Sequence, residues 1–546
     1  MVVDVQTIRC LWPELLLVVC AAGIYLGGTL RAGRTSWVSL ALAVYGSAAA
    51  LILATEWRGG EHLLRTAAVT GPLAIDHLGL VARCVALFVG VLFTLLAARG
   101  PRRELTAEFL GTLMLLVAGL MLVARAHDLV LLFVSLELIS LPTYVLLFLG
   151  RHDRVTSEAT LKYFYLSILS SALLLYGLSF LYGLTGSTRL PAITAQIVTD
   201  AGVTLPVVAQ LGINPDRLIC LALVFVTAGL GFRLAVVPFH FYAADVYQGA
   251  THANAGLLAV VPKMAGVLAF VRLLVTGFPQ AAALAWELLL VLAILTMTVG
   301  NVCALWQQNL RRLLAYSSIA HGGYLLIGLA VALAGSQQVG DHSGGIAATL
   351  AYVVVYSLAA LGSFAAFAYL GGRQQEVSGV EDLSGLSRTH PWPAAILTIC
   401  LFSLAGLPPL AGFWGKLWLF LGAVQTATGA TTLHLSVWFT VLAVAGMLNA
   451  AIGAAYYLRV IAVMFFRAPH RTLPAQGGFG SGVVMYSCAA LIVMVGIAPG
   501  FVLDLARDAE LSARVPLSEV VDRSPVTSLR ASDHAWHALV LQRTNW

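Results

Sequence analysis

GLGFRLAVVPFHFYAADVYQGATHANAGLLAVVPKMAG, residues Gly229 to Gly266, sets one cation in each of two apolar segments. Arg233 stands five residues before Pro238, and Lys263 lies deep in the second segment beside Pro262. A proline inside a helix removes a backbone hydrogen bond. A charge near the bilayer centre costs about 2.5–3.5 kcal/mol on insertion scales. A helix broken at membrane depth is tolerated only where protein or a water-filled cavity surrounds it. Charge and break together are the usual layout of an ion-handling site.

The rest of the chain agrees with this reading. It has 546 residues, 60% of them hydrophobic and only 10% charged, and apolar runs of about 20 residues recur throughout. This is the composition of an all-α polytopic membrane protein. The net charge of +6 is spread as single cations in short loops, which reads as membrane topology and gives no support to nucleic-acid binding. The seven cysteines are scattered and no CxxC occurs, which argues against iron–sulfur and structural zinc sites, so no metal is expected. Neither GxGxxG nor GxxxxGK[ST] occurs, so no nucleotide-binding motif is present. The run from Leu11 to Leu30 is too long for a signal h-region and reads as a retained first helix.

Fourteen transmembrane segments are expected, at 11–30, 37–55, 73–98, 107–126, 128–150, 158–184, 216–237, 254–276, 282–306, 311–334, 344–371, 394–422, 436–466 and 482–505. The seventh should continue past Pro238 as a second half-helix, and the twelfth is interrupted by Pro408-Pro409. One set of alternate loops carries Arg31, Arg34, Arg99, Arg102, Arg103, Arg151, Arg154, Arg311, Arg312, Arg373, Arg388, Arg467 and Arg471. The opposite loops carry Arg58, Arg65, Arg125 and Arg189, with Arg217 at a helix start. The positive-inside rule makes the first set cytoplasmic and both termini external, together with the loop 185–215.

Segments four to eight and nine to thirteen form two five-helix blocks, and each has a proline-broken fourth helix with a buried cation, Arg233 or Lys416. Five is odd, so consecutive copies are inverted, as in secondary transporters. The expected organisation is three helices in 1–106, a first five-helix repeat in 107–276, a second in 282–466, a last span in 467–505 and a polar tail in 506–546.

Lys162, Lys263 and Lys416 are the only lysines among 31 cationic residues, and all lie in or at the edge of apolar segments. Arginine stays charged, whereas a buried lysine can lose its proton. Lys263 is the first candidate for a proton-holding site, because desolvation disfavours its charged form. Lys416, after the second break and toward the external side, reads as an exit-side proton site. Glu137, in the middle of LLFVSLELISLPTY, is the natural partner of Arg233. His240, His252 and His321 can relay protons near neutral pH, and His240 and His321 rank first because they lie within or beside charged segments. Lys162 follows Glu158 by four residues, so a helix-surface ion pair is the simpler reading there. Glu14 is open between an interfacial cap and a contact to another helix.

The stretches LWPELLLV, SLELISLPTYVL, SEATLKYFYLSILSSALLLYGLSFLYGLTGST, FRLAVVPFHFYAADVYQGA, NLRRLLAYSSIAHGGYLLIGL, LAGLPPLAGFWGKLWLF, YYLRVIAVMFF and GIAPGFVLDLA span nearly the whole chain. Together they resemble the N-subunit family of respiratory complex I (NADH:quinone oxidoreductase), one of its antiporter-like proton-pumping subunits. The resemblance implies proton translocation coupled to quinone reduction elsewhere in the complex, in a prokaryotic plasma membrane. It implies no cofactor in this chain, with NADH, FMN, iron–sulfur clusters and quinone in partner subunits. The partners it implies are the other membrane-arm subunits, including the other antiporter-like ones, and the lipid bilayer. The family's buried glutamate matches Glu137, its central lysine Lys263 and its second-repeat lysine Lys416. Two departures stand out: Arg233 where the family carries lysine, and THANAG where the eighth helix opens with a proline-rich stretch. The rival readings are a cation/proton antiporter subunit of the same superfamily and a membrane subunit of a hydrogenase-like complex.

Overall fold

In lipid every backbone N–H and C=O must be satisfied internally, so apolar runs of this length fold as helices. The computed structural model describes residues 5–30, 34–57, 68–98, 105–151, 153–190, 192–193, 215–277, 282–335, 344–371, 376–471 and 473–514. The N-terminal part contains α1 (Trp12–Leu30), α2 (Arg34–Ile52) and α3 (His77–Ala97). Then come α4 (Thr106–Arg125), α5 (Leu129–Gly150), α6 (Arg154–Thr185), α7 (Pro215–Leu234), α8 (Phe241–Gly249) and α9 (His252–Phe270), which continues as a π-helical turn over Val271–Thr276. The second half holds α10 (Ala282–Leu305), α11 (Leu310–Gly335), α12 (Gly345–Leu370), α13 (Pro391–Ala405), α14 (Ala411–Thr428) and α15 (Leu433–Phe466). Two helices close the described chain, α16 (Gly478–Ile497) and α17 (Gly500–Arg514).

Thirteen helices among the described residues are long and apolar enough to cross a membrane. The expected twelfth span is not among them, because it is two separate helices, α13 and α14, on either side of residues 406–410. Two other expected spans are corrected. Residues 73–75 belong to a hairpin with 68–70 that turns at Gly71 (φ 61°), and α3 starts only at His77, after Asp76 accepts the Gly79 N–H at 2.8 Å as N-cap. The segment expected at 482–505 ends at Ile497, and beyond Pro499 the chain starts the separate helix α17. The polar tail expected from 506 therefore begins inside a docked helix. In that helix Ala509 is buried, and Glu510 accepts the Ala347 N–H at 2.9 Å, near the start of α12. Its remainder, 515–546, lies outside the described residues, as do most of the loop 185–215 and the cations Arg31, Arg58, Arg65, Arg99, Arg102, Arg103 and Arg373.

The two halves close in the same way. The Leu129 N–H at the start of α5 donates to the Thr188 carbonyl beyond α6 at 2.8 Å. The Leu310 N–H at the start of α11 donates to the Ser378 carbonyl beyond α12 at the same distance. Asp128 bridges Arg189, and Asn309 bridges Gly379, just before these bonds. In the interior, α9 and α11 are each fully buried over an 18-residue stretch. They carry Lys263 and His321.

Candidate functional site

Each broken helix ends in the same local motif. At the end of α7, the Val236 N–H reaches back to the Gly231 carbonyl at 2.8 Å, with Ala235 left-handed at φ 57°. At the end of α13, the Leu407 N–H reaches the Phe402 carbonyl at 3.1 Å, with Gly406 left-handed at φ 84°. This six-to-one closure satisfies some terminal carbonyls and leaves others free. Free carbonyls and the negative end of the helix dipole attract a cation.

A lysine amine takes that position in both breaks. Lys263 Nζ, reaching across from α9, donates to the Leu234 carbonyl at 2.8 Å. Lys416 Nζ, on α14 itself, donates to the Leu404 and Ala405 carbonyls at 3.0 and 2.9 Å. The two residues are 1% and 5% exposed, and among the described residues no carboxylate lies within ion-pair distance of either. Their other close contacts are aromatic faces: Lys263 Nζ lies 5.9 Å from the centre of the Tyr356 ring, and Lys416 Nζ lies 5.0 Å from that of Tyr324. Lys416 thus sits at the break itself, bonded to the half-helix that precedes it.

Arg233 turns the other way. Its Nη1 donates to Ser140 Oγ at 2.9 Å, and its Nη2 lies 3.4 Å from Glu137 Oε1, which also accepts the Ser171 hydroxyl. Arg233 is buried, whereas the Glu137 side chain is 25% exposed, so the pair opens to one flank of α5. Lys162 pairs with Glu158 at 2.7 Å and also with Asp245 of α8 at 3.0 Å, and Arg312 of α11 holds the same Asp245 at 2.7 Å. The simple helix-surface pair is therefore one edge of a network joining α6, α8 and α11.

His321 lies between the two lysines. Its Nδ1 is 2.5 Å from the Tyr352 hydroxyl and its Nε2 is 3.1 Å from the Tyr457 hydroxyl. Its ring packs on Tyr356 with centroids 4.7 Å apart, and Tyr324 and Tyr352 meet edge to face at 6.2 Å. Sequence reading passed over these tyrosines, because an aromatic in an apolar helix looks like core. The signal was available in their hydroxyls, since a buried phenol needs a hydrogen-bond partner. His240 is not brought to this cluster: it stands just before α8 without a side-chain cap bond, half-buried, with its ring against Phe241. His252 is buried at the start of α9 against Phe367.

Other buried charges were also missed or left open. Glu14 of α1 pairs with Arg83 of α3 at 2.8 Å, both nearly inaccessible, which decides for a contact to another helix. Asp76 holds Arg272 through two carboxylate contacts, and Arg272 also donates to the Ala124 carbonyl at 2.8 Å. Burial pushes the Asp76 carboxyl up, but Arg272, the Gly79 N–H and Arg125 together hold it below its ordinary value. His127, between α4 and α5, is pushed down to about 4 by burial and by the Arg272 cation. Around residues 376–382, Arg151 and Arg311 meet Glu376 at 2.9 and 3.0 Å, Arg471 meets Asp382 at 3.0 Å, and Arg467 meets Glu381. Four of the arginines read from the sequence as sharing one membrane face thus meet in one cluster. Among the described residues no group of His, Cys, Asp and Glu side chains is arranged to hold a metal ion.

Two broken helices, each with a buried lysine on its freed carbonyls, define a multi-span membrane protein with the layout of an ion-handling site. Residues 126–452 match the family described as NADH:quinone oxidoreductase/Mrp antiporter, TM. NADH-quinone oxidoreductase subunit N of Rhodospirillum rubrum is 36% identical over 91% of this chain and 96% of its own length. The subunit N of Methylobacterium nodulans is 36% identical over 89% and 94%. Among solved structures, a chain of respiratory complex I from Thermus thermophilus with bound aureothin superposes with a TM-score of 0.71 at 30% identity, covering 90% of this chain and 98% of that one. A chain of the Mrp complex from Dietzia sp. shares the fold at a TM-score of 0.76 and 20% identity, over 94% and 99%. The chain belongs to the NADH-quinone oxidoreductase subunit N family.

Proposed function

We propose that this chain is a proton-translocating subunit in the membrane arm of an NADH:quinone oxidoreductase. It would work beside other antiporter-like subunits and contain no redox centre of its own. NADH, FMN, iron–sulfur clusters and quinone would be handled by partner subunits. The observation that carries the reading is the pair of fully buried lysine amines, Lys263 and Lys416, each held by carbonyls that a helix break has freed. An ammonium bonded only to neutral oxygens has no fixed counter-charge, so it can give up its proton without leaving a carboxylate stranded. His321 stands between them and can accept from one side while donating to the other.

In this reading Glu137 and Arg233 form the coupling pair of the first half, Lys263 and His321 the central proton sites, and Lys416 the site of the second half. His240 is a weaker candidate, because it stands apart from the row. The matching closures at Leu129 and Leu310 support two inverted repeats at 107–276 and 282–466. The two halves of the twelfth segment, α13 and α14, count together as the fourteenth span. The arginine cluster around residues 376–382 supports a single arginine-rich face, assigned to the cytoplasm by the positive-inside rule. Both termini are then external.

The test is the proton-to-electron ratio of the intact complex in proteoliposomes. Lys263→Ala should lower the ratio while the complex still assembles and oxidises NADH. A normal ratio in that variant removes Lys263 from the path. Sodium-driven proton uptake without electron transfer would favour the antiporter reading instead. Reporter fusions after Arg103 and Arg312 should report cytoplasm, and one at Gly340 the external side.

A further inference from the structure

The motif YYLRVIAVMFF has no role in the row of lysines and histidine, yet its second tyrosine enters the site. Tyr457 of α15 touches His321 Nε2 at 3.1 Å, and its hydroxyl also bonds the Ser317 hydroxyl. Tyr352 of α12 touches the other ring nitrogen, Nδ1, at 2.5 Å. Both nitrogens of a buried imidazole are therefore taken by phenols. Neutral imidazole has one donor and one acceptor nitrogen. In the neutral ring one tyrosine must donate to His321 and the other must accept from it.

The two sides lead to different places. The Tyr352 ring lies against Gly415, where an added Cβ would come within 2.7 Å of the ring, and Gly415 is the neighbour of Lys416. Ser317 lies on α11 one turn before His321, in the direction of Arg311, Arg312 and the Glu376 cluster. One turn is about 5.4 Å along the axis. The hydroxyl chain from Nε2 thus points off the lysine row, toward the arginine-rich face.

We propose that Tyr352 and Tyr457 are proton-relay residues on either side of His321, and that Tyr457 and Ser317 form a branch from the lysine row toward the arginine-rich face. The proposal rests on the proton-translocating reading. In the step, the Tyr352 O–H bond breaks as the Nδ1–H bond forms, and water on the Lys416 side returns a proton to the Tyr352 oxygen. The Nε2–H bond breaks as a new O–H forms on Tyr457, whose original proton passes to Ser317 Oγ. Ser317 releases its own proton to water. No electrons are exchanged, one proton enters and one leaves. The ring is left as the Nδ1–H tautomer, and passage of a proton in the opposite direction restores the Nε2–H form.

The experiment uses the intact complex in proteoliposomes, with NADH and quinone supplied and the proton-to-electron ratio measured. Tyr457→Phe keeps the ring and removes only the hydroxyl. It should lower the ratio as much as His321→Ala does, and the pumping that remains should show an altered solvent deuterium isotope effect. Tyr45→Phe is the packing control, because it removes a buried tyrosine hydroxyl on α2, beside Thr94 of α3 and apart from the chain of Tyr352, His321, Tyr457 and Ser317. It should leave both readouts unchanged. If Tyr457→Phe does not assemble, Ser317→Ala tests the same branch with the same expected loss. A lowered ratio in His321→Ala with a normal one in Tyr457→Phe and Ser317→Ala overturns the relay and leaves the proton-translocating reading standing. A normal ratio in His321→Ala and Lys263→Ala removes that reading, and the relay with it.

Discussion

The two broken helices solve one problem with different parts. Both end in a six-to-one closure, and both leave carbonyls that a lysine amine takes. In the first break the amine comes from a neighbouring helix, α9, and the broken helix supplies a second cation, Arg233, tied to Glu137. In the second break the amine comes from the broken helix itself, and among the described residues no acid stands near it. The first break therefore holds a permanent charge with a counter-charge plus a titratable group. The second holds a titratable group alone. A guanidinium keeps its charge throughout, so in the proposed reading Arg233 is the fixed charge of the first break and Lys263 its titratable group.

The largest expected effect tests that division. Lys263→Arg and Lys416→Arg keep the charge and remove the ability to give up a proton. Each should lower the proton-to-electron ratio about as far as the alanine variant. If either pumps normally in proteoliposomes, titration at that position is not required. At position 233 the expectation reverses: Arg233→Lys should retain most pumping, and Arg233→Ala should lose it. Equal loss in both would mean that the guanidinium geometry toward Ser140, not the charge, is what the first break uses.

Smaller effects sharpen the comparison at the backbone. The left-handed residue is Ala235 in the first break and Gly406 in the second. A left-handed residue with a Cβ costs roughly 1–2 kcal/mol, so Ala235→Gly should raise thermal stability in detergent by about 1 kcal/mol. Gly406→Ala should lower it by more, roughly 1–3 kcal/mol, because its Cβ also meets Lys416 Cδ at 2.8 Å. Unchanged melting in both variants would break the claim that each closure depends on a left-handed residue.

A pH-dependent effect belongs to the loops that lead into α5 and α11. The first holds His127, pushed down to about 4, and the second holds Gln307 and Gln308. With its value lowered in the fold, His127 binds its proton more readily in the unfolded chain. Its contribution is fully present above about pH 6.5 and is lost as pH falls toward about 4. The loss is at most about 3 kcal/mol. Melting measured across that window should flatten in His127→Gln. A slope unchanged by the substitution would assign the sensitivity to other groups.

The chain's local sequence determined its class and its breaks. Apolar runs of bilayer length dictate helices, because lipid offers no partner to an open backbone. Pro238 and Pro408-Pro409 mark the interruptions by their own covalent chemistry. Glu137, Arg233, Lys263, His321 and Lys416 were legible because a charge or imidazole inside an apolar run is costly wherever the helix packs. The pairing of Glu137 with Arg233 was legible too, but what the lysines and His321 touch was not. Leu234 is an ordinary leucine until its carbonyl, freed by the closure after it, faces Lys263 from a helix that begins at His252. Tyr352 and Tyr457 read as core aromatics, and only the meeting of α11, α12 and α15 puts their hydroxyls on the two nitrogens of His321. Asp76 and Arg272 are separated by 196 positions and meet because the hairpin at 68–75 folds under the π-helical end of α9. Burial cost is a property of a residue in its segment, so sequence can show it. Partnership depends on which segments pack together, and that was decided by the tertiary structure alone.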